Sequence, residues 1–155
     1  MHSGVTIGTV TNPVFFTNVQ FGINDIRGVD AMMVIPISAY HANRFVNQVN
    51  GRRVDGPALS PSQGQRLNAI STPTRHQSGI VVTSLNFEGP FGIRLVQTTG
   101  TARDGDSGGL VYHLPGAPAA FVRPVGIIVS SDINYRNMAF SRADAINPTL
   151  GVSIP

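Results

Sequence analysis

The chain reads as an all-β domain, a barrel or sandwich finished by a short C-terminal helical turn. Three observations predict this class. Short β-rich runs recur along the whole length. Asn-Pro, Gly-Pro, Asp-Gly and Pro-Gly dipeptides stand between many of them. Seventeen Gly and eleven Pro, spread along 155 residues, interrupt the chain too often for long helices.

Taken in order, the predicted strands are Val5–Val10, Val14–Val19, Ala31–Ile37, Arg66–Ser71, Gly79–Asn86, Ile93–Thr98, Leu110–His113, Val122–Ser130 and Met138–Ser141. Val, Ile and Thr recur in these runs, and β-branched residues suit a pleated, half-buried surface. Phe45 to Val54 reads as a short helix or an exposed loop. The Pro- and Ser-rich stretch Pro57 to Ser62 reads as a linker between two halves. Arg142 to Asn147 is the candidate helical turn, expected to end at Pro148. No repeat of solenoid period is present.

Composition narrows the possible functions. The length suits one domain with a real core. Hydrophobic residues make up 41% and charged residues only 12%, which excludes a charge-rich disordered chain. All eleven cations are Arg, yet the net charge is only +3 and the isoelectric point of about 10.2 rests on that small surplus. Arg52-Arg53 is the only adjacent pair, so the clustered cations that a nucleic-acid partner needs are missing. Cysteine is absent, which excludes disulfides and thiolate metal sites. The four His (His2, His41, His76 and His113) lack metal-ligand spacing, and Glu88 is the only Glu, so no metal or other cofactor is expected. The longest apolar stretch, Ala31 to Ile37, is too short to span a bilayer, and Met1-His2-Ser3-Gly4 lacks the basic start of a signal peptide.

The chemistry concentrates in Thr101 to Val111. Ser107 sits among Gly105, Gly108 and Gly109, after Asp106 and before an apolar run. Glycines on both sides of a hydroxyl allow tight turns and close approach of a ligand. The amides of Gly105 and Ser107 are then expected to form a small hollow beside the Ser107 oxygen. An activated serine needs such donors to meet the negative charge of acyl transfer.

The pentapeptide Gly105 to Gly109 resembles the nucleophile motif of chymotrypsin-like (trypsin-fold) serine peptidases. The likeness covers most of the chain from Ile23 onward, firmly at the pentapeptide and loosely elsewhere. It implies a double β-barrel, with residues 1–56 as the remainder of a first barrel, 57–63 as linker and 64–155 as the second barrel. It further implies His2 as general base, Asp30 as the carboxylate orienting it and Ser107 as nucleophile. Their order matches the family's, with gaps of 28 and 77 residues. Asp30 precedes the apolar run Ala31-Met32-Met33-Val34-Ile35, as in the family; Asp25 is the competing carboxylate. Only Met1 precedes His2, so the first barrel is expected to be incomplete.

Further roles follow from the same resemblance. Val125 to Ser131 matches the strand lining the substrate cleft, with Ser130 supporting Asp30 and Ser131 beside it. Met138 to Ser141 matches the wall of the specificity pocket, and Thr101, six residues before Ser107, its base. Thr101 is neutral and small and Met138 narrows the pocket, so small or apolar side chains are expected before the cut bond. Asp104 would face the pocket entrance. Asp106 is expected to accept an internal cation that holds the loop, with Arg103 and Arg123 as candidates. The partner is then a peptide or protein substrate, and the protein is secreted where the chain belongs to a longer precursor.

Other hydrolase readings fail on chain order. The same letters satisfy the G-x-S-x-G elbow of α/β-hydrolases, but no acid followed by His comes after Ser107. A subtilisin-like order needs a longer, helix-rich chain. A non-enzymatic alternative stays open: a peptidase-fold module that binds peptides without cleaving them, with an oligomer or another chain covering the open strand edges.

Overall fold

The computed structural model describes residues 8–20, 26–36, 52–72, 75–89, 93–116, 120–132, 134 and 136–150, with side chains from residue 52 onward except at 72, 130 and 147–150. Strands β1 (Gly8–Gln20) and β2 (Ile26–Pro36) pair antiparallel as a separate two-stranded sheet. Residues 8–10 of the run expected at Val5–Val10 join the run expected at Val14–Val19 in β1; Val5 to Ile7 lie outside the described residues. The pairing shifts register between Thr11 and Val14, where Asn12-Pro13 stands. Proline has no N–H to give a ladder, and a bulge absorbs it without ending the strand.

The remaining strands are β3 (Arg53–Val54), β4 (Arg66–Thr72), β5 (Arg75–Glu88), β6 (Arg94–Thr98), β7 (Leu110–His113), β8 (Phe121–Ser130) and β9 (Ala139–Arg142). The order β7-β4-β5-β6-β9 is closed by antiparallel pairing of β8 with both β7 and β9, giving a six-stranded antiparallel barrel. Closure removes the open edges that an isolated sheet exposes. β3 lies within the stretch expected as helix or loop and adds in parallel to β8 at Phe121 and Val122.

Alternation along the strands sends one set of side chains inward. Leu67, Ala69, Ile80, Val82, Val96, Val111, Val125, Ile128, Met138 and Phe140 form one buried cluster. A smaller cluster of Tyr112 and Val122 is covered by Val54, Ile70 and Leu110.

The helix α1 spans Ala143–Leu150 and places Ala143, Ala145 and Ile146 in buried positions. It runs past Pro148, contrary to the expected stop. Proline's fixed φ is compatible with a helix, although an interior proline gives up a hydrogen bond and crowds the preceding turn; the buried face of the segment offsets that cost. Asp144 in the first turn suits the positive end of the helix dipole and pairs with Arg142. α1 runs beside β1 and β2, and β2 also approaches β6 and β9.

The stretch expected as linker is fastened to the barrel. Asp55 N and Leu59 N donate to the carbonyls of Val122 (3.0 Å) and Pro124 (2.9 Å), and Ser60 Oγ donates to Asp144 (2.6 Å).

Candidate functional site

The Ser107 loop leaves the barrel after β6 and returns into β7. Asp106 N donates to Arg103 O (3.0 Å), closing a turn whose third residue, Gly105, has φ of +90°. Gly109 N donates to Asp106 O (3.0 Å), closing a second turn whose third residue, Gly108, has φ of +87°. Asp104 and Ser107, the second residue of each, are not among the residues of positive φ. A negative φ followed by a positive one is the signature of a type II turn, so two such turns run in succession through Asp106. Gly109 then packs against β4: a Cβ there would lie 2.8 Å from Ser71 Cα and 2.9 Å from Ile70 O.

Asp106 anchors the loop from inside. It is 2% exposed, accepts from Ser71 Oγ (2.6 Å) and Arg103 N (2.7 Å), and pairs with the Arg75 guanidinium (3.0 Å). Burial pushes its carboxyl up, but the Ser71 hydroxyl, the Arg103 amide and the nearby guanidinium groups outweigh burial, holding it below the ordinary carboxylate range. The cation expected at Asp106 is therefore supplied by Arg75. Arg103 contributes chiefly its backbone amide. Arg123 is engaged elsewhere, donating to Pro57 O at 3.1 Å.

Several expected site residues converge here. Ser107 is exposed, and its Oγ donates to Val129 O (3.1 Å) at the end of β8. Ser131 Oγ donates to Ala102 O (2.8 Å), tying the same strand end to the loop. Met138 N donates to Gly100 O (2.9 Å), and Met138 itself is fully buried in the core. Thr101 is exposed, with its main chain held by Gln77. Thr101, Gly105, Ser107, Ser131 and Met138 thus collect at one end of the barrel, where β8 ends and β9 begins.

His2 lies outside the described residues. Asp30 is described only as backbone in β2, opposite Phe15, and Ser130 only as backbone paired with Ala139, so the side-chain contacts expected of them fall outside the described residues. Among the described residues, no acceptor lies within hydrogen-bond reach of the Gly105 or Ser107 amide, and no group of three His, Asp or Glu is placed to hold a metal ion. His76 Nε2 contacts the Tyr112 hydroxyl, and His76 pairs with Ile70 of β4.

No family model matches the chain, and no curated protein matches it. Sequence reasoning missed Ser71, Arg75 and Gln77, all of which belong to the β4–β5 hairpin. The signal that could have found them is the polar run Arg75-His76-Gln77-Ser78 directly before the apolar body of β5.

Proposed function

We propose that this chain is a serine endopeptidase of the trypsin-like class, with Ser107 as nucleophile. The observation carrying the reading is the loop itself. An exposed hydroxyl stands directly after the residue where two type II turns meet, next to a buried charged anchor and beside two backbone N–H groups without an acceptor among the described residues. Ser107 Oγ attacks the substrate carbonyl and its proton passes to the general base, for which His2 is the candidate, oriented by Asp30. The Gly105 and Ser107 amides receive the developing oxyanion. As the C–N bond breaks, the base gives its proton to the leaving amine; water then releases the acyl group and restores the Ser107 hydroxyl. Neutral, exposed Thr101 favours small or apolar side chains before the cut bond, while Met138, expected at the pocket wall, is packed into the core.

A second reading, a peptide-binding module that does not cleave, is favoured by one contact: Ser107 Oγ gives its hydrogen to the Val129 carbonyl. A fluorophosphonate probe separates the two. The peptidase reading expects labelling at neutral pH in the unaltered chain and none in Ser107→Ala. Equal absence from both proteins, with peptide binding retained, would transfer the conclusion to the second reading.

A further inference from the structure

We infer that Gln77 is a positioning residue for the Ser107 loop, acting through the main chain of Thr101; its effect on reactivity rests on the peptidase reading above. β6 ends at Thr98, and the chain must then leave the sheet while still delivering a rigid loop. A strand that leaves its ladder strands its backbone donors and acceptors. Here several of them are met by named partners. Gly100 N donates to Thr98 Oγ1 (3.1 Å), and Gly100 O accepts from Met138 N (2.9 Å). Thr101 N donates to Gln77 Oε1 (2.8 Å), while Gln77 Nε2 donates to Thr101 O (2.7 Å). Ala102 O accepts from Ser131 Oγ (2.8 Å), and Arg103 N donates to Asp106 (2.7 Å).

Gln77 is the one side chain in this series that satisfies both main-chain groups of a single residue. Its primary amide substitutes for a neighbouring strand at the point where the strand itself has turned away to pair with β4, through Gln77 opposite Ala69. The chemistry is specific. A carboxylate would keep the acceptor and lose the donor, and a thioether of the same reach would lose both. The Thr101 hydroxyl adds a weaker bond to Gln77 Oε1 (3.3 Å). Main-chain partners are thus provided for the Gly100 amide and carbonyl, both groups of Thr101, the Ala102 carbonyl and the Arg103 amide, just ahead of the Gly105 turn. Fixing the entry in this way holds the oxyanion donors still relative to Ser107, a geometry in which displacements near 1 Å cost about a hundredfold in rate.

The test compares the unaltered protein with Gln77→Met and Gln77→Glu, reading amide hydrogen exchange at Thr101 alongside the rate of Ser107 labelling by a fluorophosphonate. Gln77→Met is expected to lose protection at Thr101 while Leu67 and Val82 in the barrel stay protected, and to label roughly 10- to 100-fold more slowly. Gln77→Glu is expected to keep protection at Thr101 and to label at an intermediate rate. Unchanged exchange at Thr101 in Gln77→Met would overturn the clamp. Changed exchange with labelling at the unaltered rate would overturn its positioning role. If the unaltered protein does not label at all but Gln77→Met loses protection at Thr101, the peptidase reading fails and the clamp stands.

Discussion

At the scale of single residues, Asp106 and Gly105 divide the work of the loop. Asp106 holds it from below. Its folded-state pKa lies below the unfolded value of about 3.9, so its contribution is fully present above that value and is lost as pH falls through the lower folded one. Asp106→Asn is accordingly expected to destabilise by about 2 kcal/mol near neutral pH, as for a lost hydrogen-bonded charge. The gap from the unaltered protein should close as denaturant titrations move from pH 5 to below pH 3. Gly105 acts above. A Cβ at φ of +90° is strained, and relief by a type I turn flips the 104–105 peptide and withdraws the Gly105 N–H. On the proposed peptidase reading, Gly105→Ala should slow fluorophosphonate labelling about 100- to 1,000-fold, the usual loss for one oxyanion donor. Ser107 and its glycines were legible in the sequence because contiguous letters carry them. The anchor was not: Ser71 and Asp106 stand 35 residues apart and Gln77 and Thr101 stand 24 apart, distances that only strand pairing closes.

At the scale of elements, most strands were legible because each carries its own apolar run between turn residues. Leu110–His113 has the same bounds in sequence and structure. β5 starts earlier than expected because its first residues are polar and partly exposed and owe their conformation to β4. β3 is two residues long and exists only through its pairing with β8, so nothing local announces it. β9 bears the largest share of the packing for its length, with Ala139, Phe140 and Ser141 fully buried and partners on both sides. Phe140→Ala is expected to cost about 3–5 kcal/mol. At a few degrees per kcal/mol for a chain of this size, that lowers the thermal midpoint by about 10 °C, measurable by circular dichroism.

For the whole molecule, the barrel strands follow one another in sequence from β4 to β9, while β1 and β2 form their own sheet. Both hinges of the site therefore belong to one closed unit: the β4–β5 hairpin that grips the loop and the β8–β9 end that carries Val129, Ser131 and Met138. The resemblance to a double barrel concerns the other half, whose two strands are described as backbone alone. Limited proteolysis should leave a protected core beginning near Asp55, where the chain first binds β8. Cleavage inside residues 64–113 as readily as within β1 and β2 would contradict that unity.

The closure by β9 has a consequence for synthesis. Ribosomes deliver the chain from its beginning, and β6 and β8 both wait for β9 as a partner. Until residues 139–142 have emerged, the growing polypeptide carries two unfilled strand edges at once, and among the described residues no earlier segment fills either along its β9-paired stretch. The interval between emergence of β8 and arrival of β9 is thus the window in which a chaperone matters most. Chains stalled with β8 clear of the exit tunnel and residues 139–142 still inside it should bind holdase chaperones, and chains stalled far enough beyond Leu150 to clear the tunnel should not.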